Sequence, residues 1–135
     1  MDVDAVKVMD ITGGNSRFSF PFSDPCGYYI WAEEDETISD IDIQEYWKRL
    51  SYMSENMDML VQQAFKPEFY NFPGIDKGLA VSPAEMCRQL VVDSFVLCAD
   101  NKTTGCCLSN EQFMFGHFID CLWSDSWELL YSYIC

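Results

Sequence analysis

The hydrophobic positions divide the chain into stretches of different period. Near the N-terminus "VKVMDI" alternates for a short distance, "TGGNS" supplies turn residues, and "RFSFPF" places Phe18, Phe20 and Phe22 on one side. Alternation on either side of a Gly-Gly-Asn turn predicts a small β-hairpin. Pro21 confines its second strand to an edge, because proline has no N–H to give a ladder. Past residue 40 the period changes. Ile43, Trp47, Leu50, Met53, Met57, Leu60, Val61 and Ala64 recur at helical spacing through residue 65. Ser39 or Asp40 can cap this helix, and Asp42 lies in its first turn, where negative charge suits the helix dipole. Lys66-Pro67 stops it, and "KPEFYNFPGIDKG" is a long connection held down by aromatics.

Ser82-Pro83-Ala84-Glu85 forms a capping box with proline at the first helical position, predicting a helix from 83 to about 99. Within it "QLVVDSFVLCA" also fits a buried strand, since a short apolar run does not declare its period. "DNKTTGCC" reads as a loop. Ser109 then caps a segment with Phe115, Phe118, Ile119 and Leu122 on one helical face, and Trp127, Leu130, Tyr131 and Ile134 repeat that spacing. The predicted architecture is one domain over residues 1–135, an α-rich α+β fold of about four helices with a small N-terminal β-hairpin.

Composition supports a packed core: 49% of residues are hydrophobic and 16% aromatic. No apolar run reaches membrane-spanning length, and "MDVDAVKVMD" lacks the basic and apolar regions of a signal peptide. The cysteines are seven, an odd number at irregular spacing, which reads as free thiols in a cytoplasmic protein.

Candidate chemistry is thin. His117, Asp120 and Cys121 share one face if their segment is helical, but three groups on one helix rarely meet in catalytic geometry. They sit among Phe115, Phe118, Ile119 and Leu122, where a lone histidine is more often a core or boundary residue. No CxxC or HExxH occurs, and Cys106-Cys107 cannot both easily face one zinc. Asp35, Asp40 and Asp42 lack calcium-loop spacing, and no Lys-Ser/Thr follows Gly13-Gly14 to make a phosphate loop. The expectation is therefore no enzyme, no cofactor, no metal and no small-molecule substrate.

Charge changes the picture. Twenty-two acids against eight bases give −14, which disfavours direct binding to nucleic acid or to anionic membranes. "WAEEDETISDID" holds Glu33, Glu34, Asp35, Glu36, Asp40 and Asp42, and no Lys or Arg lies between Arg17 and Lys48. After Lys102 the only charged residues are Glu111, Asp120, Asp125 and Glu128. A merely solvated stretch usually mixes signs and has no need of neighbours such as Tyr29 and Trp31. Carboxylates for steering beside aromatics for anchoring compose a recognition surface for a basic protein. The predicted partner-binding residues are Tyr29, Trp31, Glu33, Glu34, Asp35, Glu36, Asp40 and Asp42.

A small acidic chain without catalytic motif, ending "FGHFIDCLWSDSWELLYSYIC", resembles the immunity proteins of bacterial toxin systems, particularly contact-dependent growth inhibition. The resemblance is one of profile over the whole chain. It implies a cognate toxin domain, often a nuclease, bound and neutralised in the producing cell; such families differ greatly in fold. The alternative is a nucleic-acid mimic, of the phage anti-defence type, whose carboxylates stand where phosphates would sit.

Overall fold

The computed structural model describes residues 3–18, 27–33 and 37–135. Its frame is a five-stranded mixed sheet in the order β1-β2-β3-β4-β5, formed by Tyr28–Trp31, Val91–Cys98, Thr103–Ser109, Ile119–Trp123 and Leu129–Ile134. β2 to β5 form an antiparallel meander, and β1 joins the edge parallel to β2, Tyr28 opposite Phe95. A parallel pair needs a long crossover, and residues between β1 and β2 supply it as helices. These are α2 (Asp40–Glu55), α3 (Met57–Ala64), a 3-10 turn at Pro67–Asn71, and α4 (Pro83–Gln89). α1 (Ala5–Thr12) packs against α2, and the one-turn α5 (Glu111–Met114) links β3 to β4.

This corrects the α-rich expectation. The supposed hairpin strand "VKVMDI" is α1: Asp4 caps it through the backbone N–H groups of Val6 and Lys7, and Gly13 ends it in the left-handed region at φ 60°. Its intended partner "RFSFPF" is described only at Arg17 and Phe18, where Phe18 bridges Val92; the rest lies outside the described residues. The helix expected at 83–99 ends at Gln89, and "VVDSFVLC" is β2. The "DNKTTGCC" loop is largely the β2–β3 turn and the start of β3, with Lys102 at φ 59° in the turn. The two C-terminal helices are replaced by α5, β4 and β5. Phe115 and Gly116 both have positive φ, at 48° and 85°, and a right-handed helix cannot continue through them.

The long central helix starts where the sequence placed it. Ser39 caps α2 by accepting from the Asp42 N–H, and the Asp42 carboxylate returns to the Ser39 N–H at 3.1 Å. Its run breaks at Asn56, dividing it into α2 and α3. Ser82 caps α4 through the Glu85 N–H, while the Glu85 carboxylate turns to Arg88 and Gln89 instead of closing the box.

One core lies between the helices and one face of the sheet. Tyr28, Ile30, Val92, Phe95, Leu97, Cys106, Leu108, Ile119, Cys121 and Trp123 point into it from the strands. Tyr46, Leu50, Met53, Leu60, Met86 and Phe113 meet them from the helices. The hydroxyl of buried Tyr46 donates to the Phe95 carbonyl, and its ring sits edge-on to Phe95. Among the described residues no buried side-chain N or O atom lacks a hydrogen-bond partner.

Arg49 ties the far end of the sheet to α2. It is 3% exposed, donates to Thr104 and to the carbonyls of Ser124 and Asp125, and stacks on Trp127. At the opposite sheet edge from β1, the outward carbonyl of Ser132 on β5 accepts from Lys66 Nζ at 3.0 Å. The six described cysteines are free, with the Cys106 and Cys121 sulfurs 3.8 Å apart in the core. No described helix is long and apolar enough to cross a membrane.

Candidate protein-binding face

Strand side chains alternate, so the residues between the core positions emerge on the sheet's other face. Registry arranges them in rows. Tyr29, Val96, Gly105, Leu122 and Tyr131 lie side by side across all five strands. Ser94, Cys107, Asp120 and Tyr133 form the next row, and Trp31, Cys98 and Thr103 the row beyond Tyr29. All the described helices contribute to the core on the opposite side. Here the aromatics stay accessible: Trp31 is 47% exposed, Tyr131 41% and Tyr133 49%.

Gly105 shapes the middle of this face. A β-carbon there would lie 3.0 Å from Val96 Cγ1 and 3.7 Å from Leu122 Cδ1, so these two side chains close over the glycine. At one end the face runs into an open cleft of about 450 Å³ between Ser94, Cys107, Phe115, His117 and Phe118. Burial pushes the Cys107 thiol above its ordinary range, with Asp120 adding to the effect, so it stands as a protonated thiol at neutral pH.

None of the five strands contains Lys or Arg. The cations lie elsewhere and most are engaged. Arg17 donates to the Cys87 and Leu90 carbonyls and pairs with Asp58. Arg88 pairs with Glu85 and Lys102 with Asp42, while Lys7 lies over Trp47 and Lys77 over Tyr70. A cleft of about 710 Å³ on the helix side has Arg17 and Arg88 on its walls, both thus committed within the chain. The sheet face carries acids alone, Asp120 within it and Asp93 at its end.

The predicted partner residues separate. Tyr29 and Trp31 fall on the open face, Tyr29 half-buried. Glu33 follows β1 at the same edge, exposed, its backbone N–H bound by Asp100. Glu34, Asp35 and Glu36 lie outside the described residues. Asp40 is exposed in the first turn of α2. Asp42 is engaged locally, where hydrogen bonds from Ser39 hold its carboxyl below the usual range, helped by Lys102 at 3.4 Å. Asp120, Leu122, Tyr131 and Tyr133 are missing from the predicted partner residues. Helical periodicity over this segment makes Asp120 an acid of the C-terminal third and a catalytic candidate, and Leu122 and Tyr131 residues of a helical face. The signal for a strand is the alternation of Tyr131 and Tyr133 with Ser132 and Ile134; a register shift before Tyr131 puts Leu129 opposite Trp123, packed against the core.

The His117, Asp120 and Cys121 constellation does not assemble. On β4, Asp120 faces the open side and Cys121 the core. His117 precedes the strand, its Nδ1 3.0 Å from the Cys135 carbonyl and its ring edge-on to Phe72. Among the described residues no three His, Cys, Asp or Glu side chains converge on a metal position. No protein family matches the chain, and no curated protein or solved structure is similar to it.

Proposed function

We propose that this protein is an acidic protein-binding inhibitor that docks the open face of its sheet on a basic surface of another protein. The observation that carries the reading is the charge segregation of the sheet: five strands without a cation, with accessible Trp31, Tyr131 and Tyr133 among apolar and acidic neighbours. Tyrosine and tryptophan anchor interfaces, and one-signed charge around them steers a partner of opposite sign. Proteins that bind polyanions present such basic surfaces, and covering one removes access to the substrate without chemistry. A cytoplasmic immunity protein that neutralises a cognate nuclease toxin fits this physics. A nucleic-acid mimic would spread carboxylates at phosphate-like intervals, and the aromatic rows favour a protein plug over that alternative.

The test is capture from the native host with the wild-type chain and with Val96→Lys/Leu122→Lys, which places two cations on the accessible side of the sheet. A basic protein should be retained by the wild type, lose its activity on a stoichiometric complex, and escape the double variant. Its association rate should fall steeply between low and physiological salt, because screening shortens the reach of the charges to about 8–10 Å. An acidic partner, or a basic one whose activity persists in the complex, contradicts the reading.

A further inference from the structure

We infer that Asp120, Tyr131 and Tyr133 form a subsite for an arginine side chain of the partner, an inference that rests on the reading of the chain as a protein-binding inhibitor. Asp120 is half-buried in the sheet, yet among the described residues no cation pairs with it. Its Oδ2 accepts a hydrogen bond from the Tyr133 hydroxyl at 2.8 Å, the one hydrogen bond it receives from a described side chain. A carboxylate on the open face with no cation beside it is an anionic position that a partner's cation can fill. Beside it the Tyr131 and Tyr133 rings lie 5.5 Å apart, inclined by 30°, and nearly half exposed.

The geometry selects guanidinium over ammonium. A guanidinium is planar, offers its donors as a fork to a carboxylate, and stacks on aromatic rings through weakly hydrated faces. An ammonium satisfies the charge but has no plane to lay on the tyrosines. Tyr133 orients the carboxylate: its hydrogen bond to Asp120 pushes its own pKa up to about 12, so at neutral pH the hydroxyl is a firm donor. The Tyr133 hydroxyl takes one lone pair of Oδ2, so both carboxylate oxygens can still accept from an incoming fork. The same face of a second copy brings no Lys or Arg, so self-association through it would leave Asp120 unpaired.

The experiment titrates the full-length, isotope-labelled chain with a blocked tetra-arginine peptide and, separately, a blocked tetra-lysine peptide at low salt, following backbone amides by NMR. The arginine peptide should shift the amides of Asp120, Leu122, Tyr131 and Tyr133 most, and bind at least about threefold tighter than the lysine peptide. Asp120→Asn should abolish that preference, whereas Glu128→Gln, the same charge change in the β4–β5 turn, should retain it. Equal affinity for the two peptides, or shifts spread evenly over the acidic surface, overturns the subsite. The wild-type comparison needs no variant, so a misfolded Asp120→Asn leaves the test standing. If the peptides show no preference while a captured basic protein is still inhibited, the subsite alone fails. If the captured protein stays active, the inhibitor reading fails as well.

Discussion

At the residue scale, two side chains show how polar groups are spent on the fold itself. Arg49 is buried against the Ser124 and Asp125 carbonyls that it holds. Truncation to Ala removes those hydrogen bonds and the stack on Trp127 together, leaving oriented carbonyls unmet. The expected cost is about 3–5 kcal/mol, with Arg49→Lys falling between Ala and wild type, since one ammonium cannot span both carbonyls. Urea unfolding measures it, and a loss under about 1 kcal/mol would refute the clamp. Asp42 is subtler. Its carboxyl titrates below the ordinary carboxylate value because Ser39 donates to the ionised form. A lowered folded pKa means stability fully present above the unfolded value and lost as pH falls through the folded one. Asp42→Asn should therefore lower stability at pH 7 and flatten the decline below about pH 4. If the wild type and Asp42→Asn lose stability in parallel across that acid range, the assignment is wrong.

At the scale of elements, legibility followed the range of the interactions that decide each one. Helix starts were readable at Ser39 and Ser82, because capping is settled within four residues. The stop at Lys66-Pro67 was readable for the same reason, proline being local steric chemistry. Strands β3 to β5 were not, and β2 stayed open between helix and strand, because a run such as "VVDSFVLC" acquires its period from partners it meets only in the fold. The β1–β2 pair joins Tyr28 to Phe95 across the whole crossover, which no window of sequence contains. The candidate site inherited that error. Tyr29 and Trp31 were found as aromatics beside acids, whereas Asp120, Tyr131 and Tyr133 emerge only once β4 and β5 are strands in register. Gly105 offers a test of that register. In place of the glycine, Val would press its branches on Val96 and Leu122, and overpacking of this kind costs about 1–3 kcal/mol. Thermal unfolding should show the loss, and an unchanged or higher midpoint would mean the three strands do not align as described.

For the whole molecule, −14 is a distribution rather than a total. Basic residues bind carbonyls, carboxylates and rings on the helix side and at the edges, and the sheet face is left to acids and aromatics. Such a molecule repels its own copies at neutral pH and admits a partner of opposite sign. The lysine on the Ser132 carbonyl then has a second consequence, for solution behaviour. β5 is the outer strand of the meander, and an uncovered outer strand is a template on which another chain can add its own. Lys66 occupies one of the acceptors such an addition would use and places a cation where the newcomer must dehydrate it. Repulsion between copies is a further barrier, and it vanishes near the isoelectric point of about 4.1. Lys66→Met should therefore be monomeric at neutral pH but form light-scattering, thioflavin-positive assemblies on approach to that pH, faster than the wild type. Equal aggregation rates would show that this lysine is not what keeps the last strand from recruiting the next molecule.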